Sequence, residues 1–355
     1  MSSGNLDHQD LSAALAGGLV RESVMEKIWE IDQFPLPFFN MCAKDRAGNR
    51  YHEWTIDELG AATAPKTGNK QIDGADMSDN DESIGTREGA HCQIMTKQVN
   101  VSHRSNDVSS IGRQGSLSYQ IMQAQKRLRR DVEAQFLSDV AAVQDNGVDT
   151  AGVTAGYFSW LATNTSHGAT GSAGGFNTTT KVCDAPTFGT ARALDETSIR
   201  DIAQSIYEEG GETRFIMGTP TVIRALSAYL FTSSARIATM TSEEQGTQAG
   251  QSSKAYGSVS VFVTDFGQVL SMLANRLHPL RDGGTDTAIS NLAFIDPRGI
   301  RCANIQGFET RPLARTGLSE KRLVSWDGCL CVTNEKMQGG FFDIDETAAV
   351  IDVQP

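Results

Sequence analysis

The stretch SLSYQIMQAQKRLRRDVEAQFLSDVAAV, residues 116–143, carries the strongest helix signal in the chain. Its apolar residues recur at intervals of three or four. They are Leu117, Ile121, Ala124, Leu128, Val132, Phe136 and Val140. This spacing predicts one amphipathic helix, because residues three and four apart share a helix face. At 1.5 Å per residue the helix is about 40 Å long, which is more typical of an elongated molecule than of a single globular domain.

The other faces of this predicted helix are charged. They carry the basic cluster KRLRRD, residues 126–131, and Glu133. Lys and Arg side chains in such a cluster could contact nucleic acid. The whole chain is acidic, however, with a formal net charge of -12, and no aromatic residue interrupts the cluster. We therefore interpret KRLRRD as a solvated or inter-subunit face.

Two strand patterns precede the helix. RYHEWTIDEL (residues 50–59) and HCQIMTKQVNVSHR (residues 91–104) both read as β-strands. Residues 60–89 between them are rich in Gly, Asp and Asn and cannot bury a core. The pattern predicts a projecting β-ribbon over residues 46–105. The apolar alternation changes phase within the second strand, which predicts either a twist or bulge or different packing partners along its length.

The N-terminal segment predicts an arm. Residues 1–18 are small and polar, and a helical repeat follows, which Pro35 and Pro37 end. The repeat consists of Val20, Val24, Ile28 and Ile31. Its apolar face needs a partner, either on its own chain or on a neighbour. We assign residues 1–45 to this arm.

From about residue 195 the patterns are those of compact α/β structure. DETSIRDIAQSIYEEGG, residues 195–211, predicts a helix that Gly210 can end with a left-handed cap. RFIMG, residues 214–218, predicts a short buried strand. Thr219 and Pro220 then supply the N-cap and the first residue of another helix.

Turn signals predict two hairpins and one surface loop in the rest of the chain. Residues 265–267 (DFG) form the expected turn of the first hairpin, and Asp327 with Gly328 form that of the closing hairpin, RLVSWDGCLCVTN. Residues 162–181 are rich in Gly, Ser, Thr and Asn, which indicates a surface loop.

Composition limits the class of protein. The 355 residues correspond to roughly two domains. The start lacks the features of a secretory signal, and no run approaches the ~18 apolar residues of a membrane span, so we expect a cytoplasmic origin. The six Cys include no CxxC pair, which predicts six free thiols in a reducing compartment.

The candidate metal ligands do not converge. His91, Cys92 and His103 are close in sequence, but adjacent strand residues face opposite ways. His91 and His103 would lie about 40 Å apart on an extended strand. A tetrahedral zinc site needs four converging ligands. We therefore interpret all three as side chains of the ribbon without chemistry of their own.

Other chemical motifs are absent from the sequence. It contains no GxSxG, and GATGSAGG is not followed by the GK[ST] of a phosphate-binding loop. Asp343 and Asp345 are two residues apart, and we expect them on a solvated face rather than as an acid/base pair. The sequence therefore predicts no catalytic, cofactor-binding or metal-binding residue and no enzyme.

The order of these elements resembles the major capsid proteins of tailed bacteriophages, which share the Hong Kong 97-like fold. The local resemblance, to one branch of that group, lies in RYHEWTIDELG, HCQIMTKQVNVS, YQIMQAQKRLRRDVE, IYEEGG, VSVFVTDFG and RPLARTGLSEKR. It covers about residues 20 to 345. The order and spacing of the segments, rather than any single one, carry it.

The resemblance implies an α+β fold in four parts. These are an N-terminal arm (1–45), an extended β-hairpin loop (46–105), a peripheral domain with a long spine helix at 116–143 (106–194 and 312–355), and an axial α/β domain (195–311). In the family the extended loop lies over an adjacent subunit. The axial domain packs around five-fold and six-fold axes.

The resemblance also implies a function and partners. The chain would self-assemble into pentamers and hexamers, which form an icosahedral head shell around phage DNA. Assembly would take place in the bacterial host cytoplasm, and the protein would remain in the virion. The expected partners are a separate scaffolding protein, a portal and decoration proteins, but no membrane. A separate scaffolding protein is expected because only about 40 residues precede the ribbon. Some members cross-link Lys to Asn; Lys66 and Lys70 lie in the ribbon tip, yet no residue pattern supports cross-linking here.

Two other functions remain open. An encapsulin-like compartment has the same fold but encloses cargo enzymes instead of a genome. A cytoplasmic enzyme would have its active site in residues 195–311 and form a small oligomer. For the capsid protein we expect that deleting residues 60–90 leaves a folded chain that assembles poorly.

Overall fold

The computed structural model describes residues 35–57, 72–74, 76, 85–108, 115–232, 261–282, 288–315 and 317–347. The helices are α1 (Pro37–Met41), α2 (His103–Asp107), α3 (Ser116–Phe136), α4 (Tyr157–Trp160), α5 (Glu196–Glu208) and α6 (Pro220–Thr232). The helical repeat at residues 20–31, Lys66 and Lys70 lie outside the described residues.

Fifteen strands are named within the described part of the chain. They are β1 (Ala43–Arg46), β2 (Tyr51–Ile56), β3 (Thr86–His91), β4 (Gln93–Ser102), β5 (Thr165–Ser166), β6 (Gly175–Asn177), β7 (Val182–Asp184), β8 (Phe215–Gly218), β9 (Val261–Val263), β10 (Val269–Ala274), β11 (Arg281–Asp282), β12 (Ala288–Ile295), β13 (Ile300–Pro312), β14 (Ser319–Val332) and β15 (Gly339–Asp345).

The strands form two larger sheets and two small ones. The four-stranded sheet has the order β1-β13-β14-β4. The seven-stranded sheet follows β5-β15-β12-β8-β10-β9, with β11 paired to β12. β2 with β3, and β6 with β7, form the two-stranded sheets. Helices and mixed sheets in one chain make an α+β fold, as the sequence predicts.

Helix α3 packs on the four-stranded sheet but is shorter than predicted. Its apolar stripe is buried at Leu128, Val132 and Phe136. It ends at Phe136 rather than at residue 143, because the Ser138 hydroxyl donates to the Gln135 carbonyl and closes the last turn. Val140, predicted in the stripe, is 41% exposed.

The prediction of one continuous second strand over residues 91–104 is wrong, because this segment is divided between β3, β4 and α2. β2 pairs antiparallel with β3, whereas β4 pairs antiparallel with β14 over ten residue pairs. The change of partner falls at Cys92, whose N–H donates to the Arg50 carbonyl at 2.8 Å. The change of apolar phase therefore reflects different packing partners, which is the second of the two predicted alternatives.

The prediction of a closing hairpin with its turn at Asp327 and Gly328 is also wrong. β14 continues through both residues, which lie opposite Gln306 and Asn304 of β13, where the register shifts. The antiparallel pair is instead formed by β13, which ends at Pro312, and β14, which begins at Ser319. The Asp-Gly pair marks a close approach, because a Cβ at position 328 would lie 2.7 Å from the Ala303 carbonyl oxygen.

The predicted local elements of the compact α/β part are confirmed. Asp195 caps α5 by accepting from the Ser198 N–H at 3.0 Å. Gly210 follows the helix with a left-handed φ of 85°. Thr219 Oγ1 accepts from the Val222 N–H at the start of α6. β9 and β10 form the expected hairpin, with Gly267 in its turn.

Each of the two larger sheets contains strands from both sides of residue 311. β13 lies almost entirely in the range assigned to the axial domain, yet it pairs with β1 and β14 in the four-stranded sheet. β15 was assigned to the peripheral domain but pairs with β12 in the seven-stranded sheet. The backbone pairing of the long strands β13 and β14 determines which strands belong to which sheet. Amino-acid composition does not reveal this pairing.

Residues 162–181 are built into the fold rather than forming a simple surface loop. β5 pairs in parallel with β15, and Phe176 stacks on Trp160 with ring centroids 6.0 Å apart. A Cβ at Gly168 would lie 2.1 Å from the Thr190 carbonyl oxygen. The glycines of this tract therefore permit close backbone packing.

Two apolar cores underlie the sheets. The core beneath α3 is aromatic and includes Phe38, Phe136, Tyr157 and Trp326. The second core lies between α5, α6 and the seven-stranded sheet and includes aliphatic residues such as Ile199 and Leu292. Phe38 reaches the first core from the N-terminal side of β1, which fastens the end of the arm to the body.

Candidate functional site

His91, Cys92 and His103 lie against three different sets of partners. His91 packs on the Tyr51 ring at 4.6 Å, and its Nε2 is 3.2 Å from the Lys181 carbonyl oxygen; burial lowers its pKa. Cys92 Sγ lies 3.4 Å from Cys329 Sγ. His103 begins α2. The structure does not bring the three together as a ligand set.

The described residues contain no group of three or more His, Cys, Asp or Glu side chains placed to hold a metal ion. Asp343 is buried, and its two oxygens accept from the Gly168 and Gly189 N–H groups and from Arg281. The predicted solvated position of Asp343 is therefore wrong. Its carboxylate ties two loops and β11 to β15.

The basic cluster at residues 126–131 partly fastens α3 to the sheet. Asp131 accepts from Lys97 of β4 at 2.6 Å. The Arg129 guanidinium lies 5.0 Å from the centroid of the Phe308 ring of β13. Arg127 is exposed. The cluster therefore combines a structural role with an open face.

Glu133 joins three distant parts of the chain. The sequence placed it on the polar side of the helix, but it is fully buried. Its oxygens accept from the Phe38 N–H at 2.9 Å, the Phe39 N–H at 2.6 Å and Asn275 Nδ2 at 2.6 Å. It thereby holds the first turn of α1 and the segment after β10 to the spine helix. Burial raises its pKa, although these hydrogen bonds oppose the rise.

A weak sequence signal for the burial of Glu133 exists. It precedes Phe136 by three residues and Leu137 by four, so it borders the apolar stripe. Its backbone partners at Phe38 and Phe39 leave no recognisable residue pattern. Periodicity alone therefore does not identify this contact.

The ribbon is anchored at its base. Trp54 of β2 donates from Nε1 to the Thr333 carbonyl oxygen at 3.2 Å, and its ring lies 5.5 Å from that of Trp160. β2 and β3 pair from Tyr51 opposite His91 to Ile56 opposite Thr86. The chain between these paired ends therefore starts from a fixed platform on the body.

Two exposed apolar surfaces lie away from this base. Val263 and Val269 face each other across the β9–β10 hairpin, with Val261 on the same side, and Val263 is 63% exposed. β9 is the last strand of the seven-stranded sheet. At the tip of the β13–β14 hairpin, Leu318 is 85% exposed. The neighbouring valines of β9 and β10 together form an exposed apolar patch of the kind found at contact surfaces.

No helix in the described part of the chain is long and apolar enough to cross a membrane.

Comparison with known proteins identifies the family. A sequence model of the SU10 major capsid protein matches residues 5–345, nearly the entire chain. The chain belongs to the SU10 major capsid protein family. The predicted family resemblance is thus confirmed, and the family is one of structural capsid proteins.

One curated relative of this capsid protein is the major capsid protein of Escherichia phage Phieco32. It is 28% identical over 216 residues, covering 52% of this chain and 59% of the relative. The match therefore spans about three fifths of the relative's length.

Solved structures show that the capsid protein has the predicted Hong Kong 97-like fold. A chain from Mycobacterium phage Bobi is 10% identical, with a TM-score of 0.55 over 96% of this chain and 99% of that one. A capsid chain of the native GTA particle is 13% identical, with a TM-score of 0.54 over 94% and 98%. An encapsulin chain from Synechococcus elongatus is 11% identical, with a TM-score of 0.53 over 94% and 96%. At these identities the likeness concerns the fold alone.

Proposed function

We propose that this capsid protein assembles with copies of itself into pentamers and hexamers, which close into an icosahedral head shell around phage DNA. The family match over residues 5–345 carries the proposal. The shared fold of the Bobi and GTA chains supports it.

Each part of the chain has a proposed place in the shell. The arm (1–45) and the ribbon (46–105, with its paired base at β2 and β3) lie against neighbouring subunits. The parts assigned as peripheral (106–194 and 312–355) carry the spine helix. The axial part (195–311) closes rings around five-fold and six-fold axes. The anchored ribbon base supports this division, because a fixed base can direct a projecting segment toward a neighbour.

We further propose that the protein acts by association rather than as an enzyme. The exposed valines of β9–β10 and the apolar tip at Leu318 provide contact area for other subunits. Burial of such surface is the main favourable contribution to subunit association. The net charge of -12 suits a shell lining that must not bind packaged DNA tightly.

The proposed partners follow from the capsid role. They are a separate scaffolding protein and a portal during assembly in the host cytoplasm, and decoration proteins on the finished virion. Packaged DNA is a non-specific neighbour, and no membrane contact is proposed.

An encapsulin-like compartment is the second candidate function. The fold shared with the Synechococcus elongatus encapsulin chain favours it. The family match and the Phieco32 relative favour the phage capsid. Gene neighbours encoding a portal and a terminase would decide for the capsid, whereas a neighbouring cargo enzyme would decide for the compartment.

Sedimentation and negative-stain microscopy test the proposal. The full chain is expressed alone and with its candidate scaffolding protein. Closed shells, or rings of five and six subunits, are expected in at least one condition. A stable monomer or dimer in both would overturn the proposal and return attention to an active site in residues 195–311.

A further inference from the structure

All six cysteines lie in the aromatic core. Five of them lie in or directly beside the strands of the four-stranded sheet: Cys42, Cys92, Cys302, Cys329 and Cys331. Within this group the Cys92 and Cys329 sulfurs are 3.4 Å apart, and the Cys329 and Cys331 sulfurs are 3.7 Å apart. All are free thiols in the structure.

The backbone register places Cys92 and Cys329 as cross-strand neighbours. The β4–β14 ladder ends with Gln93 opposite Gly328, so the next residues on each strand are these two cysteines. Paired residues of such a ladder have Cα atoms about 4.5–5.5 Å apart, and the two cysteines lie one step beyond its last pair. This separation lies within the range of about 4.4–6.8 Å found in disulfides.

Cys331 is a poorer partner for Cys329. The two residues are two apart on one strand, so their Cα atoms are about 6.6 Å apart, near the upper limit for a disulfide. The shorter of the two sulfur distances is also the one to Cys92. Geometry therefore selects the Cys92–Cys329 pair.

Cys92 is 7% exposed and forms part of the lining of a cleft, so a small molecule in the cleft would contact it. The cleft has a volume of about 380 Å³ and is lined by Arg50, His91, Cys92, Asp145 and Lys181 among others. Cys329 is fully buried behind it. The lining contains both signs of charge, because Arg50 and Lys181 lie beside Glu53 and Asp145 and Arg50 is 4.0 Å from Asp145.

We propose that Cys92 and Cys329 form an oxidisable dithiol, which closes to a disulfide on reaction with a small-molecule disulfide such as oxidised glutathione. The Cys92 thiolate attacks one sulfur of the reagent, and one glutathione leaves as its thiol. The Cys329 sulfur then attacks Cys92 Sγ and passes its proton to the departing second glutathione, which forms the protein disulfide. The protein loses two hydrogens and two electrons, and the reagent gains both.

The disulfide fixes the base of the ribbon. Cys92 directly follows β3, and Cys329 lies within β14, so the bond joins the return strand of the ribbon covalently to the four-stranded sheet. Closing so long a loop restricts the unfolded chain and raises the unfolding midpoint. A reducing cytoplasm keeps the pair open. The bond itself does not depend on the chain forming a shell.

The test treats the full-length protein with oxidised glutathione, blocks remaining thiols with N-ethylmaleimide and maps peptides by mass spectrometry without reduction. The expected result is a peptide containing Cys92 linked to Cys329, with labelled thiols falling by two from the initial six. Six labelled thiols, a persistent glutathione adduct on Cys92, or a dominant Cys329–Cys331 link would overturn the proposal.

Matched variants separate the bond from general effects of oxidation. Cys92→Ser should abolish both the link and the rise in unfolding midpoint, whereas Cys183→Ser, which changes a buried cysteine outside the pair, should retain both. Cys331→Ser keeps both Cys92 and Cys329 and should still form the link. This variant tests the proposal even if Cys92→Ser fails to fold. Loss of the link in Cys331→Ser would instead identify Cys331 as a required participant.

Discussion

At the scale of single residues, Glu133 places a fully buried carboxyl group beside the aromatic core. Its carboxylate is removed from water and is stabilised by donors from α1 and from Asn275. Removing the carboxylate would leave the Phe38 and Phe39 N–H groups without their acceptor. Buried donors that lose their acceptors are costly.

Glu133→Ala should lower the free energy of unfolding by roughly 3 kcal/mol, because several buried donors lose their acceptor together. The measurement is urea unfolding of the soluble subunit, followed by tryptophan fluorescence. Glu208→Ala, an exposed helix position, is the matched control and should change stability by less than about 0.5 kcal/mol. Equal effects of the two substitutions would contradict the role of Glu133.

The contribution of Glu133 should also depend on pH. Burial raises its pKa in the folded chain above the ordinary value of 4.5. The folded state therefore holds the proton more tightly, and stability falls as pH rises from 4.5 to the folded pKa, then becomes constant. The stability difference between wild type and Glu133→Ala should shrink over this window. A difference that grows with pH would mean that the three hydrogen bonds outweigh burial.

Residue placement was predictable only where local geometry decides it. Strand alternation predicted that the side chains of His91 and Cys92 would face opposite ways. In the structure the two side chains contact different partners. The burial of Glu133 and Asp343 was missed, because their principal partners are backbone N–H groups far away in sequence. Such partners carry no side-chain signature.

At the scale of elements, capping and periodicity predicted the short α/β elements well. Asp195, Gly210 and Thr219 act through neighbouring backbone groups, so their roles can be read locally. The course of β14 could not be read in this way. Its Asp-Gly pair is also a hairpin signal, and only pairing with β13 and β4 keeps the strand continuous.

Gly328→Ala should therefore destabilise the four-stranded sheet by about 1–3 kcal/mol, since the added Cβ overpacks the strand. That Cβ would lie 2.7 Å from the Ala303 carbonyl oxygen and 2.8 Å from Trp326. Gly307→Ala on β13 is the control, because no atom lies within 4 Å of its added Cβ. Thermal unfolding checks both variants. An unchanged thermal stability of Gly328→Ala would contradict this close packing and support the hairpin turn that the sequence alone predicted.

At the scale of the whole molecule, the chain passes between its two larger sheets more than once. β12 and β15 belong to the seven-stranded sheet, while β13 and β14 between them belong to the other. This exchange ties the sheets together, and the ribbon base is pinned near the same junction by Trp54. The membership of strands in the two sheets could not be predicted from the sequence, because it depends on pairing between strands that are distant in the chain.

The ribbon supports a prediction about assembly. Replacing residues 60–82 with a short Gly/Ser linker spares β2 and β3, unlike the broader deletion of 60–90, which removes most of β3. The variant should retain the wild-type unfolding midpoint yet form few shells, because its contact with neighbouring subunits is lost. Sedimentation measures assembly, and a linker of the original length is the control. Normal shells from the shortened variant would refute the assembly role of the ribbon.

Native mass spectrometry of the soluble protein tests the central proposal most directly, because it counts the subunits in each complex. The capsid account predicts complexes of five and six copies, whose abundance rises with protein concentration. A distribution that remains at one or two copies at every concentration, with and without the scaffolding partner, would contradict it.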